Sequence, residues 1–154
     1  MGFQQRLPSL SIDNWNGHLF MLEKRKCIVF VHKETLYSFV LFDILKGHLK
    51  EFKNIFLLHY LEQLKADELL TPEIEAGIRK DFENFQLSTT DDDRSTIGYM
   101  NDCITRLKWD RGDNPPTIDE ARAYVKNYYN DNLLMSRNFT TPHELMCERL
   151  KSYV

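Results

Sequence analysis

The sequence predicts an α+β fold: an antiparallel sheet of three or four strands, over about residues 18–42 with a fourth near 82–88, covered by four or five helices. Three observations predict it. Residues 15–42 hold three apolar runs rich in β-branched and aromatic side chains, broken by two short charged stretches. From residue 49 onward the apolar residues fall instead at helical spacing. The chain has 154 residues, 42% hydrophobic and 28% charged, which suits one domain with a sizeable core.

The first strand reads His18–Leu22, and Glu23-Lys24-Arg25-Lys26 makes a polar turn. Cys27–Val31 is the second strand, His32–Thr35 the next turn, and Leu36–Phe42 the third strand. The runs are continuously apolar rather than alternating, so both faces of the sheet should be covered. Leu49, Phe52, Phe56, Tyr60 and Leu64 mark a helix with a wide apolar face. Thr71-Pro72-Glu73 opens a second helix, with Thr as N-cap and Pro in the first turn, running to about Lys80. Phe82, Phe85 and Leu87 lead into the fourth strand, and Ser88–Arg94 is a polar loop. Ser95–Trp109 reads as a helix, GDNPP at 112–116 as a break, and Thr117–Glu120 as a capping box for a helix reaching Tyr129. Thr141-Pro142-His143-Glu144 starts the last helix, through Tyr153. Residues 1–14 form a lead-in segment and residues 15–154 a single domain.

The N-terminal MGFQQRLPSLSIDN lacks the apolar stretch of a secretion signal, and no apolar run reaches the ~18 residues of a membrane span. The expected location is cytoplasmic, with no membrane contact. Cys27, Cys103 and Cys147 are odd in number, far apart and set in apolar surroundings, so they read as buried reduced thiols.

The net charge is −3 but uneven: residues 1–60 carry 8 Lys/Arg against 5 Asp/Glu, and residues 61–122 carry 8 against 15. The densest basic cluster is Lys24-Arg25-Lys26, a hairpin tip that could touch nucleic-acid phosphates. A charged turn also serves simply as a solvated turn, and the acidic balance weighs against nucleic acid. A second candidate is a helix start holding Arg94, Ser95, Asn101 and Asp102. Gly98 would leave a notch between Arg94 and Asn101 on one stripe, where a guanidinium beside free backbone N–H groups could hold a small anion. The same residues are also explained by Ser95 capping the helix and Gly98 packing closely on the sheet. Asp91-Asp92-Asp93 lacks the alternating spacing of a calcium loop, and the five histidines form no H-x-x-x-H, so no metal site is expected. No Gly-rich phosphate loop, dinucleotide fingerprint or G-x-S-x-G is present, and no cofactor is expected.

Three places carry a resemblance: Trp15-x-x-x-Leu19-Phe20 with Arg25-Lys26, Asp93-Arg94-Ser95 followed by Met100-Asn101, and Pro142-His143-Glu144-Leu145. By these the chain is similar to a small family of bacterial proteins known only as a domain of unknown function. The resemblance implies the same strand-then-helix order and brings no activity with it. Members of that family usually begin with a further short strand and helix, so the resemblance implies a divergent or truncated N-terminus here. The favoured function is a non-enzymatic cytosolic binding or interaction module, with a protein partner or a small anionic ligand. The alternatives are a small enzyme or anionic-ligand binder using the Arg94–Asn101 notch, and a nucleic-acid binder using the hairpin tip.

Overall fold

The computed structural model describes residues 9–12, 14–22, 25–41, 51–84, 87–89, 94–111, 118–134 and 137–154. Its framework is a five-stranded antiparallel sheet: β1 (Ser9–Ile12), β2 (Trp15–Leu22), β3 (Arg25–His32), β4 (Ser38–Leu41) and β5 (Leu87–Thr89). Across the sheet the order is β4-β3-β2-β1-β5. The helices are α1 (Phe52–Ala66), α2 (Pro72–Asp81), α3 (Arg94–Arg111), α4 (Ile118–Val125) and α5 (Pro142–Leu150).

The expected α+β class is observed, and both faces of the sheet are covered. Successive strand side chains point to opposite faces. In β3, Ile28 and Phe30 enter one core, while Cys27, Val29 and Val31 enter the other. The first core is closed by α1, α2 and α5 through Phe56, Leu64, Ile78, Met146 and Leu150. The second is closed by α3, α4 and the turn after α4 through Met100, Cys103, Val125 and Tyr129. Fully burying one such side chain stabilises by roughly 1.5–3 kcal/mol, so this double burial is why β3 can be apolar without a break from Cys27 to Val31.

Several boundaries differ from the sequence reading. Ser9–Ile12 lies in the segment expected as a lead-in, yet pairs with both β2 and β5. Leu10 and Ile12 do alternate with serine, but four residues are a weak signal. The hairpin is tighter than expected: Leu22 pairs with Arg25 and Met21 with Lys26, so Arg25 and Lys26 belong to β3 rather than to its turn. The fourth strand falls at Leu87–Thr89; Phe82–Asn84 is a 3-10 turn extending α2. Phe82 is held there by packing against Phe56, ring centres 5.3 Å apart. The expected α4 continues past Val125 as a π-helical turn, Lys126–Asn130. Thr71 and Thr141 cap α2 and α5 as expected, each side chain accepting from the backbone N–H three residues on, at 3.2 Å and 3.0 Å. The capping residue expected for α4, Thr117, lies outside the described residues. Cys27 and Cys103 are buried, but Cys147 is exposed, because Met146 and Leu150 take the inward face of α5.

Two glycines make opposite predictions. Gly17 pairs with Phe30 across the central strands, and a Cβ there would overlap the Phe30 ring. Gly98 lies within α3, where a Cβ meets nothing within 4 Å. In urea unfolding, Gly17→Ala should lose about 1–3 kcal/mol through overpacking. Gly98→Ala should gain about 0.5–1 kcal/mol through helix propensity.

Candidate functional site

Of the sequence-derived candidates, Asn101, Asp102 and Lys26 are those whose side chains are described. Arg94 and Ser95 open α3, and their side chains lie outside the described residues. Asn101 and Asp102 are exposed on the same helix, and Gly98 faces open space among the described residues rather than packing on the sheet. Lys24 and the Arg25 side chain lie outside the described residues, and Lys26 is exposed at the start of β3.

A different set of residues converges. The hairpin register places Trp15, at the start of β2, opposite His32, at the end of β3. Their rings meet edge to face at 5.0 Å, on the side of the sheet that α1 covers. Tyr60 of α1 reaches the Trp15 ring at 4.8 Å, with Phe39 and Phe56 behind it at 5.2 and 5.8 Å. Above this aromatic floor lies a cleft of about 370 Å³, within the size range of small-molecule sites. Its floor is Trp15, His32, Tyr60 and Phe82, all buried. Arg149, Tyr153 and Asp81 form the rim, with Asn14 and Asn84.

Local sequence explains how the rim is positioned. Met146, Arg149, Leu150 and Tyr153 repeat at three and four residues, so one stripe of α5 and its 3-10 extension carries both core anchors and rim groups. The Tyr153 hydroxyl donates to the Asp81 carboxylate at the end of α2. Arg149 Nη1 donates to Glu34 Oε2 at 2.6 Å, which ties the rim to the turn after β3.

That turn is built on His32. The backbone N–H groups of Glu34 and Thr35 donate to His32 Nδ1 at 3.2 and 3.3 Å. With Nδ1 an acceptor, the proton of the neutral ring sits on Nε2. Burial, reinforced by the positive charges of Arg149 and Lys33, pushes the His32 pKa down to about 3. The ring is therefore neutral at physiological pH. Leu36 completes the turn at φ +62°, a left-handed conformation costly for a branched side chain, and still buries its side chain in the second core. Among the described residues, neither His32 Nε2–H nor the Trp15 indole N–H has a hydrogen-bond partner, although the two residues are only 2% and 3% exposed. Buried donors are normally paired, so these two at one cleft floor stand out.

In a second buried polar cluster the side-chain donors of Tyr37, Gln63 and Asn130 are all paired. Asp67, 1% exposed at the end of α1, accepts from the Tyr37 hydroxyl and from Asn130 Nδ2 at 3.0 Å. Gln63 Nε2 approaches the same carboxylate at 3.4 Å and donates to the Arg122 carbonyl at 3.2 Å. Asn130 also exchanges two hydrogen bonds with the backbone of Ser38, at 2.9 and 3.1 Å. His143 Nε2 lies 2.9 Å from the Asp67 carbonyl oxygen and joins α5 to the cluster. Burial raises the Asp67 carboxyl above the usual carboxylate range, and the hydrogen bonds from Tyr37, Gln63 and Asn130 act against that rise. A wider groove of about 490 Å³ between α1 and α4 carries Lys65, Arg122 and Lys126 beside Glu62, side chains that are half-buried or exposed. Among the described residues no three His, Cys, Asp or Glu side chains group as a metal site, and no helix is long and apolar enough to cross a membrane.

Sheet, two helical layers and an end-of-sheet cleft define an α+β domain with one aromatic-floored pocket described at the mouth of its central hairpin. The chain belongs to the family described as a domain of unknown function (DUF6933), whose model matches residues 4–145. No curated protein and no solved structure matches the chain.

Asp67→Ala would leave three buried donors without their acceptor and should cost about 2–4 kcal/mol in urea unfolding. The sign of its pH dependence follows from the raised carboxyl. The folded state holds that proton more tightly, so the contribution of Asp67 is full at low pH and falls as pH rises through the folded value. The deficit of the alanine variant should therefore be larger near about pH 4 than near about pH 8; the reverse order would contradict the assignment.

Proposed function

We propose that this protein is a non-enzymatic binding module of the cytoplasm, and that the cleft above Trp15 and His32 holds a small molecule. The observation that carries the reading is the convergence of β2, β3, α1, α2 and α5 on a cleft whose floor residues carry two buried N–H donors without a hydrogen-bond partner among the described residues. Donors of this kind are the polar groups by which an apolar pocket orients its ligand.

The chemistry of the floor favours binding over turnover. The two nitrogens of His32 are already assigned: Nδ1 accepts from the turn and Nε2 carries a proton. At neutral pH the ring can donate a hydrogen bond but has no lone pair free to take a proton, as a general base must. Burial raises the Tyr60 phenol far above its ordinary range, so it is no base either. The exposed thiol, Cys147, is not among the cleft residues. Among the described residues the cysteines form no disulfide, which fits a reducing compartment.

The test is a fragment screen on the 15N-labelled full chain, read by amide shifts. Ligands should perturb Asn14, His32, Asn84 and Tyr153 together, be recovered unchanged, and be lost in Asn84→Trp, which fills the mouth from an exposed rim position. Hits confined to the groove between α1 and α4, or chemical conversion of a hit, would contradict the reading.

A further inference from the structure

We infer that the ligand of this cleft is a small carboxylate carrying a planar apolar group, with its carboxylate directed at the floor. This rests on the binding reading above and names the class of molecule that reading leaves open.

The floor determines the polarity. Trp15 and His32 offer N–H donors and, with Nδ1 of His32 turned into its own turn, no acceptor. A ligand group seated there must therefore accept hydrogen bonds. Two donors on adjoining rings 5.0 Å apart suit a group with two acceptor oxygens better than a single hydroxyl.

The rim determines the charge. Arg149 acts electrostatically on His32, Tyr60 and Tyr153 alike, so its positive field covers both the floor and one wall. Only Nη1 of its guanidinium is engaged by Glu34; the other donors of the fork have no partner among the described residues. The opposing charge at the rim, Asp81, already accepts from the Tyr153 hydroxyl. It would repel an incoming carboxylate, which sets the orientation: carboxylate on the side of His32 and Arg149, apolar group towards Phe82 and Asp81. The aromatic side chains at the floor supply flat surface for that apolar group.

The probes are benzoate and phenylacetate, each against its primary amide, titrated by amide shifts and by Trp15 emission in a Trp109→Phe background. Wild type should bind the acids with affinity at least about tenfold above the amides, since charge-assisted pairs are roughly twice as strong as neutral ones. Arg149→Gln, a change at an exposed position, should remove that preference by weakening the acids at least about tenfold. Asp81→Asn should tighten acid binding by about threefold by removing a like charge at partial exposure. Amides binding as well as acids, or acid binding indifferent to Arg149→Gln, would overturn the carboxylate assignment and leave the cleft a binding site. Acids that fail while other fragments map to Asn14, His32 and Asn84 would overturn it equally. An absence of any ligand at those residues would bring down the binding reading itself.

Discussion

A strand buried on both faces has nowhere along its length to keep a polar side chain, and this constraint organises the molecule. β3 feeds Ile28 and Phe30 into one core and Cys27, Val29 and Val31 into the other. Its polar side chains fall at the ends of that run, Lys26 exposed at one and His32 buried at the other. Trp15, which begins β2, stands opposite His32. The cleft lies at the end of the hairpin, where the C-terminal ends of α2 and α5 come together.

The two helical layers must also be joined around the sheet, and Asp67 does this at the β4 edge. One carboxylate takes hydrogen bonds from Tyr37, which leads into β4, and from Asn130, in the π turn after α4. The π turn brings Asn130 to the Ser38 backbone, covering edge groups that would otherwise be open to pairing with another strand. Every donor in this cluster is used, whereas the His32 Nε2–H and the Trp15 indole N–H have no hydrogen-bond partner among the described residues. That contrast separates the part of the polar interior that holds the fold together from the part left for a ligand.

Much of the scaffold was legible in the sequence. The β-branched runs, the wide apolar face of α1 and the Thr-Pro starts of α2 and α5 each state a local rule that the packing respects. β1 was not legible as a strand, because Ser-Leu-Ser-Ile is too short to show a period and draws its stability from neighbours on both sides. The site was illegible for a related reason. Its residues come from five separated segments, and no spacing links His32 to Arg149 or Asp81. One signal was available: pairing Leu22 with Arg25 places Trp15 directly opposite His32, whereas pairing Leu22 with Cys27 shifts the register by two and hides the pair. The Arg94–Asn101 stripe is visible in the sequence because its residues are close together; of its side chains, those of Asn101 and the adjoining Asp102 are described, and both are exposed on α3.

The account stands on the state of one imidazole. Long-range 1H–15N NMR of the His32 ring reports tautomer and charge together. We predict a neutral ring with its proton on Nε2, unchanged from about pH 8 to about pH 5, because burial lowers its pKa to about 3. The unfolded chain binds that proton near its ordinary value of about 6.5, so stability should fall as pH drops below that point. A ring that titrates near about pH 6.5 in the folded protein, or one carrying its proton on Nδ1, would contradict the account, since the turn would then lack its acceptor and the cleft its donor.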